Sequence, residues 1–97
     1  MSKFIKVLSK VLKEYGVACF VNEEEENIQF VIDNNYESSY ISNMEELKYE
    51  VENYNTFYEV SCLVEEDWEA NEAIEEILYY KEVMLKVYFK VAEELSL

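Results

Sequence analysis

The stretch from Glu65 to Leu97 constrains this chain most. It reads as one helical segment with two unlike halves. The first, Glu65-Glu66-Asp67-Trp68-Glu69-Ala70-Asn71-Glu72-Ala73-Ile74-Glu75-Glu76, carries seven carboxylates. The second, Ile77 to Ala92, has twelve apolar residues in sixteen, with Lys81, Glu82, Lys86 and Lys90 as its polar positions. Glu82, Lys86 and Lys90 are four apart, so on a helix they form one narrow wet stripe on an otherwise apolar cylinder. Such a cylinder must be covered by its own domain's core, by a partner chain, or by both. The apolar half is therefore expected to anchor the fold, and the acidic half to help form a negative working surface. At about 1.5 Å per residue a helix from Glu66 to Leu95 extends about 45 Å, against a radius of gyration of about 13 Å for a domain of this size. It must overhang the domain, break in its acidic half, or pack in a dimer.

The 97 residues are expected to form a single domain, 1-97, large enough for one core. At 51% hydrophobic and 15% aromatic, the chain is not a disordered acidic tail. Its 22 acids face 8 lysines, with no arginine or histidine, for a net charge of −14. The charge is unevenly placed: residues 1–22 sum to +3, residues 23–76 to −17, and residues 77–97 to zero. Such a field opposes direct nucleic-acid binding and anionic membranes, because both need cations on the protein. It favours a basic partner, including a protein that itself holds nucleic acid. The blander reading is a solubility device. No signal peptide and no run of 18 apolar residues is apparent, so a cytoplasmic location is expected. Cys19 and Cys62 sit in apolar, strand-like runs and read as small core residues, with a disulfide as the alternative.

Local patterns predict an α+β fold: an N-terminal helix, a three- or four-stranded antiparallel sheet, an acidic helix and a long C-terminal helix. Ser2 to Tyr15 is amphipathic, with Phe4, Ile5, Leu8, Val11, Leu12 and Tyr15 on one face and Lys3, Lys6, Lys10 and Lys13 on the other. The lysines are expected to solvate this helix and neutralise nearby glutamates. Gly16, the only glycine, marks its end. Val17 to Val21 and Asn27 to Asp33 read as a hairpin around the loop Asn22-Glu23-Glu24-Glu25-Glu26-Asn27, with Ile28, Phe30 and Ile32 sharing a face. After an Asn34-Asn35 turn, Tyr36 to Ile41 reads as a third strand, with Tyr36, Ser38 and Tyr40 on the face opposite Glu37, Ser39 and Ile41. Ser42 followed by Glu45 is a capping box opening a helix with Met44, Leu47, Val51 and Tyr54 as its apolar stripe and Glu45, Glu46, Glu50 and Glu52 as its wet side. Asn55 to Val64 suits a fourth strand because Thr56 to Val64 is rich in β-branched and aromatic residues; a longer helix is the alternative.

Little chemistry is available. With no histidine, the commonest general base and metal ligand is missing, and dinuclear iron with its glutamate-histidine pairs is impossible. A lone glycine excludes a phosphate-cradling loop, and no loop has the acids and central glycine of an EF-hand. No catalytic residue, metal site or cofactor is assigned. The feature left is acidic. Seven carboxylates over Glu65 to Glu76 span about 18 Å if helical, one per roughly 2.6 Å, against one charge per about 1.7 Å of duplex DNA. The candidate partner-binding residues are Glu23, Glu24, Glu25, Glu26, Glu45, Glu46, Glu50, Glu65, Glu66, Asp67, Glu69, Glu72, Glu75 and Glu76. Tyr36, Tyr40, Tyr49, Tyr54, Tyr58 and Trp68 fall near them and supply rigid contact area, or else line the rim of the core.

The order helix, hairpin, third strand, acidic helix and final helix resembles the small acidic anti-CRISPR proteins that inhibit the type II effector nuclease by mimicking DNA. Local texture is similar too: Phe30-Val31-Ile32-Asp33-Asn34-Asn35, then Tyr40-Ile41-Ser42 leading into a glutamate-rich helix. The apolar C-terminal half departs from that pattern and suggests a different core or a dimer. The resemblance implies a phage-type inhibitor, acting in the host cytoplasm, that occupies the nucleic-acid site of a defence complex. Expected partners are a CRISPR effector, a restriction enzyme or a nuclease toxin; in the last case the chain would be an immunity or antitoxin protein. A third reading is a structural module that forms a homodimer through Ile77-Leu95.

Overall fold

The computed structural model of the chain describes residues 1–32, 36–64 and 68–96; within 55–64 and 68–74 it describes the backbone course but not the side chains. The expected Asn34-Asn35 turn lies outside the described residues. The elements run α1 (Lys3–Glu14), β1 (Ala18–Asn22), β2 (Asn27–Ile32), β3 (Tyr36–Glu37), α2 (Met44–Val64) and α3 (Trp68–Glu94). This is the α+β architecture that the residue patterns predict.

Helix α1 starts where Ser2 Oγ accepts the Ile5 N–H at 3.3 Å. It ends in a Schellman arrangement: Gly16 N–H donates to the Lys13 carbonyl at 3.1 Å and Val17 N–H to the Leu12 carbonyl at 2.9 Å. That closure needs a left-handed residue at position 16, and Gly16 has φ +72°.

Strands β1, β2 and β3 form a three-stranded antiparallel sheet in that order. Ile28, Phe30 and Ile32 point into the core, as their alternation requires. Across the hairpin Cys19 pairs with Phe30 and Val21 with Ile28, so these β1 residues share that face. Cys19 is a free thiol packed at the margin of the core, and burial pushes its pKa up. The opposite face carries Phe20, exposed, beside Gln29.

The third strand is shorter than its alternation suggests, for a visible reason. Ser38 N–H donates to the Phe30 carbonyl at 3.0 Å, but the Phe30 N–H goes to Ser38 Oγ at 2.9 Å. A side chain has replaced a ladder carbonyl. Pairing resumes at Ile28 and Ile41, which exchange hydrogen bonds of 2.9 and 2.8 Å. The β2–β3 register, in which Val31 faces Glu37, would set Ile28 opposite Tyr40. One extra residue has therefore been inserted, a β-bulge over Ser39 and Tyr40. It reverses the expected facing: Ile41 is buried and Tyr40 is exposed.

Helix α2 begins one residue later than the expected capping box. Asn43 Oδ1 accepts the Glu46 N–H at 2.9 Å, and Glu46 Oε1 accepts from Asn43 Nδ2, Ser42 N–H and Ser42 Oγ at 2.9, 3.1 and 2.8 Å. The reciprocal pair is thus Asn43 and Glu46, not Ser42 and Glu45. The expected fourth strand does not form, because α2 continues through Asn55 to Val64. A capped helix gains one hydrogen bond per added residue, and the β-branched bias of 56–64 does not offset that. Cys62 therefore lies on a helix, and its side chain is outside the described residues.

Helix α3 runs unbroken for 27 residues, about 40 Å, close to the molecule's 45 Å long dimension. Val83, Met84, Val87 and Val91 form its buried face, joining the α1, sheet and α2 residues in one core cluster. The C-terminal half thus anchors the fold from within. Leu78, Leu85 and Phe89 lie on the outward side and are exposed. Tyr54 Oη donates to the Ile77 carbonyl at 3.3 Å, setting the level of α3 against α2. No described helix is long and apolar enough to cross a membrane.

Candidate acidic interaction surface

The bonds that close the sheet also bring two acidic segments to one end of the molecule. Asn22 pairs with Asn27, and Asn22 Oδ1 accepts the Glu25 N–H at 3.2 Å, which tightens the turn between them. Glu23, Glu24, Glu25 and Glu26 are all exposed there. Glu26 is left-handed at φ 53° and sits 3.9 Å from the Met1 amino group. Ile28, next to the turn, pairs with Ile41, and α2 opens three residues after that. Glu45 and Glu46 therefore share the end of the molecule that carries the turn.

The described lysine pairs lie elsewhere. Lys10 Nζ is 3.2 Å from Glu94 and Lys90 Nζ is 2.7 Å from Glu14, a seam joining α1 to α3. In that seam the hydrogen bond from Lys90 holds the Glu14 carboxyl below its usual range and raises Lys90. The N-terminal lysine face is thus partly spent on carboxylates outside the predicted surface.

Glu50 does not lie on the wet side of α2. It is only 3% exposed. Its Oε2 accepts from Tyr36 Oη at 3.1 Å and its Oε1 from the Ser39 N–H at 3.2 Å, a donor that the bulge releases from the sheet. Burial, reinforced by Glu50, pushes the Tyr36 phenol above its ordinary value, so it stays a donor. Tyr36 also packs edge-to-face on Tyr54, ring centres 5.2 Å apart. The sequence signal was present: Glu50 follows Leu47 by three residues and precedes Tyr54 by four, so it borders the apolar stripe.

Beside Glu50 opens a cleft of about 330 Å³ lined by Ser39, Tyr40, Ile41, Glu45, Glu46, Tyr49 and Glu50. The bulge supplies one wall and the first turns of α2 the other. Tyr40 and Tyr49 are 47% and 62% exposed, so their rings are open to a ligand. Tyr40 and Tyr49 stand out in the sequence as aromatics near acids. The inward turn of Glu50 and the contribution of Ser39 do not, because both depend on the bulge.

The third acidic segment, on α3, is not joined to this end. Ile77 lies level with Tyr54, and Glu69, Glu72, Glu75 and Glu76 precede it on α3, farther along the helix pair from the start of α2. Glu75 and Glu76 are exposed, and the side chains of Glu69 and Glu72 are not described. Glu65, Glu66 and Asp67, like the side chains of Tyr58 and Trp68, lie outside the described residues. Among the described residues, no three His, Cys, Asp or Glu side chains converge as for a metal ion. No family model, curated protein or solved structure matches this chain.

Proposed function

We propose that this protein is a non-enzymatic acidic inhibitor that occupies the basic, nucleic-acid-binding surface of a partner in the host cytoplasm, as an anti-CRISPR or other anti-defence DNA mimic does. The observation that carries this reading is the separation of charge. Two lysines are paired along the α1–α3 seam, and at the turn end the Met1 amino group meets Glu26 alone, while Glu23, Glu24, Glu25 and Glu45 stand exposed there with no ion pair among the described residues. A concentrated negative surface steers and orients a basic partner more than it adds raw affinity. The immunity-protein reading uses the same surface on a nuclease toxin.

The test is capture from host lysate on the immobilised chain at low salt, followed by elution with duplex DNA and identification of what elutes. A nucleic-acid-binding CRISPR or restriction subunit displaced by DNA supports the mimic; a nuclease toxin supports the immunity reading. A captured partner that duplex DNA and 0.5 M salt both fail to displace rules out charge mimicry, since exposed charges are largely screened at about that ionic strength. Replacing Glu69, Glu72, Glu75 and Glu76 with glutamine reports separately on the α3 segment.

A second reading, a homodimerisation module, is favoured by the outward Leu78, Leu85 and Phe89 of α3. Light scattering over a dilution series of the parent and of Phe89→Lys decides it; a parent monomeric at every concentration removes this reading.

A further inference from the structure

We propose that the cleft between the Ser39–Tyr40 bulge and α2 is a receptor for a single arginine side chain of the basic partner. This deepens the function proposed above and rests on it for the origin of the arginine. At about 330 Å³ the cleft is at the lower end of the range of about 300–1,000 Å³ seen for small-ligand sites, so it suits one side chain rather than a nucleotide or a helix.

Two features set it apart from a mere gathering of acids. The first is aromatic. The bulge turns Tyr40 out of the sheet, and Tyr49 is exposed on the α2 wall. Exposed tyrosine rings bind cations through their faces, and a planar guanidinium stacks on them better than a compact ammonium does. Bulges recur where a side chain must be re-aimed at a ligand.

The second is an unbalanced buried carboxylate. Glu50 is 97% enclosed, since only 3% of it is exposed, yet its described partners are a phenol and a backbone amide, both neutral. Lys48, the one cation of α2, makes no ion pair with it among the described residues. A carboxylate offers about four acceptor sites, so these two hydrogen bonds leave capacity on its oxygens. Burying a carboxylate without a cation is costly, and an arriving guanidinium offsets that cost. Glu45, at the cleft's outer edge, makes no described hydrogen bond or ion pair and offers a second acceptor for the guanidinium fork. Glu46 is less suited, because its Oε1 already accepts three hydrogen bonds of the helix cap.

The experiment is an NMR titration of the full chain with Nα-acetyl-arginine amide, with the citrulline amide, which has the same shape and no charge, and with the lysine amide. Arginine amide is expected to shift the Tyr40, Tyr49 and Ser39 resonances saturably, citrulline amide not at all, and lysine amide more weakly. Tyr49→Ala and Glu45→Gln are each expected to weaken arginine binding about three- to fivefold, the loss expected for one exposed cation–π or charge-assisted contact. Glu23→Gln/Glu24→Gln/Glu25→Gln should leave it unchanged. Absence of saturable shifts in the cleft overturns the proposal. So does a citrulline response equal to arginine's, or a loss in the turn variant as large as in Tyr49→Ala. The lysate experiment stays separate. Arginine binding without a DNA-displaceable partner leaves the cleft standing and the mimic reading fallen, and the converse overturns the cleft alone.

Discussion

The β1–β2 turn and the inner edge of α2 use the same side chain in opposite ways. At Glu23, Glu24 and Glu25 the carboxylates face water and do no structural work beyond keeping the turn wet. At Glu46 and Glu50 the carboxylates are fasteners: one closes the helix cap, the other joins Tyr36 and Ser39 to α2. The difference teaches that a large negative charge is not one feature. Part of it holds the connection from sheet to helix, and only the remainder is free to meet a partner.

Glu50 gives the largest test of this contrast. Glu50→Ala removes the acceptor shared by the partly buried Tyr36 phenol and the Ser39 amide, two hydrogen bonds worth about 1–3 kcal/mol together. Urea unfolding of Glu50→Ala beside the turn variant Glu23→Gln/Glu24→Gln/Glu25→Gln measures the gap. If Glu50→Ala unfolds at the parent midpoint, the fastener role is wrong. Asn43→Ala comes next: it deletes the acceptor for the Glu46 N–H, a cap worth about 1 kcal/mol, and helical signal at 222 nm should melt earlier.

Tyr36 extends the comparison to alkaline pH. Its folded pKa is raised, so its contribution is fully present below the unfolded value near 10.0 and is lost as pH rises beyond that. Tyr36→Phe is expected to be less stable than the parent at pH 8 but to lose less stability between pH 9.5 and 11. A parallel loss in both proteins would remove Tyr36 from the alkaline limb. The turn variant itself is expected to stay within about 0.5 kcal/mol of the parent while binding its partner with a shallower dependence on salt.

The half-exposed Glu14–Lys90 bridge gives the smallest effect. Glu14 is lowered, so its contribution is lost as pH falls below its usual 4.5; Lys90 is raised, so its contribution is lost as pH climbs past 10.5. Glu14→Gln should flatten the acid limb slightly, and 1 M salt should abolish the difference from the parent.

Much of the architecture was readable in the chain because it depends on neighbours in sequence. The helical spacing of Phe4, Ile5, Leu8, Val11 and Leu12, the stop at Gly16, and the alternation of Ile28, Phe30 and Ile32 are short-range patterns, and each settles one element. The apolar run from Ile77 likewise required cover, and Val83, Met84, Val87 and Val91 obtain it inside the fold. Where the reading failed, a distant partner intervened. Tyr36 to Ile41 alternates like a plain strand, but Ser38 Oγ takes a ladder bond and the facing of Tyr40 and Ile41 reverses. Asn55 to Val64 has the composition of a strand, yet it follows a helix already started at Asn43.

Periodicity and charge count therefore decided which segments are helix, hairpin and core, and that this protein is strongly negative. They did not decide which glutamates are free. That choice was made when the bulge freed the Ser39 N–H from the sheet and the β2–β3 pairing set Tyr36 within reach of α2, because a carboxylate turns inward only where donors converge on it, and those donors come from another element.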